Sequence, residues 1–162
     1  MLDSILNNLR VVSLSTRTDF RGINTREVAL IEGSAGWGEF SPFIEYDENE
    51  SIPWLISAIE GATQPRTKAT RKYIDINATL PAVDTRAEVE NILSWYPGAT
   101  TVKIKVGSGA EKDLARIKFV NELLPNAALR LDVNGTWGVE EALEFIYGFY
   151  DAFDEDLLQY IE

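Results

Sequence analysis

Four short apolar stretches recur in the second half of the sequence at nearly constant spacing, with Ile74, Val102, Leu129 and Leu157 standing 28, 27 and 28 residues apart. That period holds one strand, one helix and two connections. Four such units in a row imply a parallel sheet with right-handed crossovers. Strands are expected at 73–79, 101–106, 129–133 and 157–162. The helices between them carry their own signals. Thr85 and Glu88 form a capping box ahead of Val89, Ile92, Leu93 and Tyr96, and Pro97-Gly98 stops that helix. In the second, Leu114, Ile117, Asn121 and Leu124 share a face before Pro125; in the third, Val139, Ala142, Leu143, Ile146 and Tyr150 do.

Periodicity alone leaves open whether such a sheet stays flat or closes into a barrel. Side-chain phase is more informative, because successive strand residues point to opposite faces. Ile74, Ile76 and Ala78 oppose Asp75, Asn77 and Thr79; Val102, Ile104 and Val106 oppose Lys103 and Lys105; Leu129, Leu131 and Val133 oppose Arg130, Asp132 and Asn134; Leu157 and Ile161 oppose Tyr160 and Glu162. Helices cover the apolar face. Polar side chains from several neighbouring strands converge at the C-terminal mouth of a β/α barrel, where such barrels keep their active sites.

The chain has neither cysteine nor histidine, so acid–base chemistry falls to Lys, Asp, Glu or Tyr. Lys103 and Lys105 are two apart on a strand, about 6.5 Å, where two ammoniums repel by roughly 2.6 kcal/mol at an effective dielectric near 20, or about two pK units. One of them can then be neutral near pH 7, which is how a lysine becomes a general base. A solvated strand with alternating lysines gives the same pattern. Asp132 and Glu162 end successive apolar strands directly after the lysine strand. Two carboxylates so placed supply part of the oxygen cage that Mg²⁺ takes. An Asp before Asn-Gly is also an ordinary turn residue.

The first 40 residues read as a small antiparallel sheet, with a strand at 26–32, a turn at Gly33-Ser34 and a returning strand at 36–40. A helix is expected at 51–62, with Pro53 in its first turn and Leu55, Ala58, Ile59 and Ala62 along one face. The polar connection at 63–72 marks the boundary between a domain at 1–70 and one at 71–162. A formal charge of −11 argues against nucleic acid, which needs clustered basic residues. No apolar run approaches the roughly 20 residues of a membrane span, and a cytoplasmic protein without membrane contact is expected.

The run Gly36-Trp37-Gly38-Glu39-Phe40-Ser41-Pro42-Phe43, continued by Glu45-Tyr46 and Pro53-Trp54-Leu55, resembles the capping domain of actinobacterial-type o-succinylbenzoate synthases of the enolase superfamily. Asn77-Ala78-Thr79, Lys103-Ile104-Lys105, Asp132-Val133-Asn134-Gly135 and Tyr160-Ile161-Glu162 are similar to that family's first four barrel strands. The resemblance implies an α/β, enolase-like fold: an N-terminal α+β capping domain, then the first four β/α units of a TIM-type barrel, incomplete in this chain. It also implies roles. Lys105 would remove the proton next to the substrate carboxylate and return it to the departing hydroxyl. Lys103 would keep Lys105 basic. Asp132 and Glu162 would hold Mg²⁺ (or Mn²⁺), which stabilises the enediolate. Asn134 would stand beside the metal ligands at the substrate, and the loops carrying Arg21, Gly22, Ser41, Pro42 and Phe43 would close over it.

The reaction implied is loss of water from a succinyl-hydroxycyclohexadiene carboxylate to give o-succinylbenzoate, in menaquinone synthesis. N-acylamino acid racemase or dipeptide epimerase activity, and a non-catalytic half-barrel remnant, are the alternatives. A third carboxylate ligand and a lysine on the opposite face have no counterpart here. The 162-residue chain alone is therefore expected to be inactive, with self-association through the open barrel edge.

Overall fold

The computed structural model describes residues 2–20 and 22–162, with side chains described over 5–17 and 22–162. These fall into two compact units, Met1–Lys72 and Tyr73–Glu162.

In the first unit a short helix α1 (Leu2–Asn7) leads into an antiparallel meander of β1 (Leu9–Phe20), β2 (Ile23–Gly33) and β3 (Gly36–Phe40), followed by helix α2 (Glu48–Thr63). β2 and β3 join through a two-residue turn between Gly33 and Gly36, as the turn residues predict. α2 lies on this sheet at unusually close range. A Cβ on Gly38 would stand 1.7 Å from the Ala58 carbonyl oxygen, and one on Gly33 2.4 Å from that of Ala62, so only glycine fits at either position. The small core consists of Ile31, Ala58 and Ala62, with Ile5, Phe40 and Ile59 packed around it. α2 begins three residues before the expected start. Asp47 and Glu50 make a reciprocal capping box, which places Pro53 in the second turn and leaves Leu55 exposed.

The second unit alternates strand and helix: β4 (Ala78–Leu80), α3 (Arg86–Leu93), β5 (Thr101–Lys105), α4 (Ala110–Leu123), β6 (Ala128–Asp132), α5 (Val139–Ala152), a 3₁₀ turn (Glu155–Leu157) and β7 (Leu158–Ile161). The four strands are parallel and stand in sequence order, β4-β5-β6-β7. A doubly wound sheet reverses its order at a switch point; sequential order is that of a β/α barrel. Ala78, Leu80, Val102, Ile104, Leu129 and Leu131 are completely buried on the apolar side, against Val89, Ile117, Val120, Phe145 and Phe149 of the helices. None of the helices among the described residues is long and apolar enough to cross a membrane.

Four expectations are corrected here. The first strand occupies Ala78–Leu80, not 73–79, and the partner of Val102 is Ala78 rather than Ile74. Ile74 and Ile76 are 76% and 77% exposed, since their alternation finds no neighbouring strand. α4 centres its buried stripe on Asp113, Arg116, Ile117 and Val120, with Leu114 and Leu124 of the expected face half-buried against the same core. α5 buries Phe145 and Phe149, leaving Val139, Leu143 and Tyr150 exposed. Finally, Leu157 closes the 3₁₀ turn, and it is Leu158 that pairs with Leu129. Arg130 then pairs with Tyr160, so Gln159 is an extra residue in β7. This bulge shifts the alternation by one, which puts Ile161 level with buried Leu131 and sends Tyr160 and Glu162 toward the polar side.

Candidate active site

The polar side of the parallel sheet converges at the C-terminal ends of β5, β6 and β7. Lys105 stands in register with Asp132, and Lys103 two positions below, level with Arg130. Flat pairing alone would keep Lys103 away from the strand ends. Its long side chain reaches forward, so that Nζ lies 2.9 Å from Asp132 Oδ2 and also pairs with Glu162 Oε1. Lys105 Nζ pairs with the same Asp132 Oδ2 and donates to Asn134 Oδ1 at 2.7 Å. Asp132 Oδ1 accepts the Asn134 N–H at 3.0 Å. That bond closes a tight turn in which Asn134 and Gly135 both adopt left-handed φ, 54° and 67°. Asn tolerates this region better than other side chains, which explains Asn-Gly directly after a strand.

Two lysine Nζ atoms and two carboxylates therefore share one small volume. Asp132 is only 2% exposed, while Glu162 is half exposed. Burial pushes the Asp132 carboxyl up, but hydrogen bonds from Lys105, Lys103 and the Asn134 N–H together outweigh it and hold the group below its ordinary value. The hydrogen bond to Glu162, and then that to Asp132, raise Lys103 above its ordinary value against the opposing effect of burial. For Lys103 this reverses the direction expected from two neighbouring ammoniums. The carboxylates between and beside the lysines dominate over lysine–lysine repulsion.

Among the described residues no group of three or more acidic side chains is assembled for a metal. Asp132 and Glu162 nevertheless meet around one cation, the Lys103 ammonium. Two hard oxygen donors that already converge on a positive charge fit the partial cage of Mg²⁺, which is held by one or two carboxylates and completes its shell with water or substrate oxygens.

Below the strand ends, Arg130 spans the sheet. It donates to Gln159 Oε1 at 2.8 Å and Asn77 Oδ1 at 3.0 Å, and its guanidinium lies 5.3 Å from the centre of the Tyr160 ring. The side chain of the bulge residue is thus anchored from the neighbouring strand. The expected set did not include Arg130 as a contact, nor the buried Asp113–Arg116 pair of α4. Two charges in helical phase with Ile117 and Val120 are the sequence signal for that pair.

Ser41, Pro42, Phe43 and Gly22 belong to the first unit. Ser41 is nearly buried; its hydroxyl donates to Glu39 Oε1 at 2.6 Å and its carbonyl accepts from Arg26. The Arg26 guanidinium lies 4.4 Å from the centre of the Phe43 ring, which meets Tyr46 and Trp54 edge-on. Gly22, with φ of 75°, lies in the β1–β2 connection. Arg21 lies outside the described residues.

Two family descriptions match the sequence, "Enolase N-terminal domain-like" over residues 11–62 and "Enolase C-terminal domain-like" over residues 84–162. An o-succinylbenzoate synthase of Mycolicibacterium smegmatis is 47% identical over 146 residues, covering 88% of this chain and 44% of the relative. One of Mycobacterium tuberculosis is 48% identical over 145 residues with the same coverage. The chain thus spans less than half the length of these curated relatives. Among solved structures, o-succinylbenzoate synthase from Thermosynechococcus elongatus, complexed with Mg in its active site, is similar with a TM-score of 0.59 at 21% identity, over 94% of this chain and 59% of that one. A mandelate racemase/muconate lactonizing protein from Herpetosiphon aurantiacus is similar with a TM-score of 0.66 at 18% identity, over 86% and 55%. At these identities the two structures speak to the fold alone.

Proposed function

Because this chain belongs to the enolase superfamily, we propose that the protein acts as an o-succinylbenzoate synthase, with Lys105 as the group that moves the proton. The observation that carries this reading is the gathering of Lys103, Lys105, Asp132 and Glu162 at the ends of three adjacent strands. It occurs in a chain 47% identical to such a synthase over 88% of its length.

The chemistry follows from the side chains. Lys105, as the free amine, takes the proton from the carbon next to the substrate carboxylate. The electron pair left behind forms the ring double bond as the C–O bond to the hydroxyl breaks. The proton now on Lys105 goes to the departing oxygen, so that water leaves and the ring becomes aromatic. Asn134 Oδ1 fixes the direction of Nζ for both transfers. Lys103, kept charged by Glu162 and Asp132, offsets the negative charge that develops on the substrate carboxylate. Asp132 and Glu162 are the residues that would hold Mg²⁺, and the metal would supply Lewis-acid stabilisation of that same charge. Gly22, Ser41, Pro42 and Phe43, with Arg21, are proposed to contact the rest of the substrate.

Incubating the protein, joined to further barrel units that supply a third carboxylate and the opposing lysine, with the cyclohexadiene carboxylate and Mg²⁺ tests this, with loss of diene absorbance as the readout. Conversion is expected of that joined protein and not of residues 1–162 alone, and Lys105→Met is expected to slow it by about 10²–10⁴-fold. No conversion by the joined protein under saturating Mg²⁺, or an unchanged rate in its Lys105→Met variant, would sink the reading. Epimerisation of N-acylamino acids or dipeptides without dehydration would keep the role of Lys105 and replace the substrate.

A further inference from the structure

Behind the lysine strand, α4 carries an ion pair with no solvent access: the side chains of Asp113 and Arg116 are both fully buried, 2.7 Å apart. Charges in such a place are costly unless every polar atom is satisfied, and here none of the buried side-chain atoms described lacks a partner. The identity of those partners is informative. Arg116 Nη1 donates to the carbonyl oxygen of Lys105 at 2.8 Å, and Nε to that of Val83 at 2.6 Å. Asp113 Oδ2 accepts the N–H groups of Gly107 at 2.7 Å and Ser108 at 3.0 Å. Three of the four backbone groups held by the pair therefore belong to the segment from Lys105 to Ser108.

That segment is held on one side by β6, where the Val106 N–H donates to the Asp132 carbonyl at 3.0 Å, but has no strand partner on the other. β4 ends at Leu80, level with Ile104, so no β4 residue is in register with Lys105. Beyond it the chain leaves the sheet through Gly107, whose φ of 104° is open to glycine and strained for other residues. Arg116 takes the place of the missing strand partner, and Asp113 clamps the turn. Stability alone is a weak reason for this device, because a buried ion pair is often replaced by apolar residues of similar volume without loss.

We propose that Asp113 and Arg116 are positioning residues for Lys105: they fix the peptide that follows it and thereby the point at which Nζ is presented. This rests on the reading of Lys105 as the proton-transferring group. It goes further in assigning the precision of that group to a pair on the far side of the sheet, which contacts neither Asp132 nor substrate.

The test uses Arg116→Lys, which keeps the charge but cannot fork between two carbonyls and Asp113, and the double variant Asp113→Leu/Arg116→Met, which replaces the pair by apolar volume. Two readouts are taken. The first is the NMR signal of the Lys105 Cε methylene, assigned by its disappearance in Lys105→Arg; the second is turnover, separated into kcat and KM. With cooperative unfolding retained, the Lys105 signal is expected to shift and broaden, and kcat to fall by about 10–100-fold while KM stays within about twofold. A folded variant with an unchanged signal and unchanged kcat overturns the proposal. So does loss of cooperative unfolding in both variants, which would make the pair purely structural. Turnover is read in the protein joined to further barrel units that supply a third carboxylate and the opposing lysine; should that protein, unsubstituted, turn over no carboxylate substrate, the functional reading fails by itself, and the Lys105 signal still decides whether the pair positions that side chain.

Discussion

Asp132 is the residue on which the site turns, since one of its carboxylate oxygens receives both lysines. Its carboxyl is held below the ordinary value, so it contributes stability at pH above the unfolded value of about 4, and this contribution is lost as pH falls through the lower folded value. Lys103 is held above its ordinary value; its contribution is complete below pH of about 10 and is lost as pH rises through the higher folded value. In chelator-containing buffer, the urea midpoint of the second unit should therefore be level between those limits and decline on either side. Asp132→Asn should lower the plateau by about 1–3 kcal/mol, because two lysines lose a common partner, and should flatten the acid limb. An acid limb as steep in Asp132→Asn as in the parent would show that the carboxylate is not held in this way. These contacts were partly legible in the sequence. Strand alternation put Lys105 and Asp132 on one face, but it could not show that Lys103 reaches past its own rung to Glu162, because that depends on the reach of a flexible side chain.

Among the elements, those whose ends are written in local chemistry were the most readable. Thr85 and Glu88 form the capping box the sequence announces, and Val102, Ile104, Leu129 and Leu131 are all buried as their alternation demands. The failures have physical reasons of equal weight. Residues 73–77 alternate as well as any strand, but alternation describes a surface and does not supply a partner for it. α5 is apolar on more than one side: Ala142, Phe145, Ile146 and Phe149 also recur at helical spacing, so periodicity offers two overlapping stripes and packing selects one. The bulge at Gln159 has no sequence signal of its own, yet it decides which way Glu162 points. The choice of face on α5 leads to a direct contrast. Phe149 is fully buried, so Phe149→Ala should cost about 3–5 kcal/mol; Tyr147, 67% exposed, should tolerate alanine within about 0.5 kcal/mol. Equal losses in thermal or urea unfolding would mean that the helix is rotated from the position described.

At the scale of the molecule, the two units rest on different principles. The first is a thin sheet brought against α2 by glycine–alanine contacts and has, among the described residues, a small core of Ile31, Ala58 and Ala62. The second has a continuous apolar core beneath a parallel sheet, and its polar side is free to carry chemistry. Family membership and this division of faces together lead to one central claim: that the ends of β5, β6 and β7 form a single site in which two carboxylates hold a cation beside a proton-transferring lysine. Mg²⁺ titration followed by calorimetry tests it most directly. The protein should bind one equivalent saturably, Asp132→Asn and Glu162→Gln should each abolish or severely weaken that binding, and Lys103→Met should tighten it by removing the ammonium that sits between the two carboxylates. Mg²⁺ binding that is indifferent to both carboxylate substitutions would contradict the account.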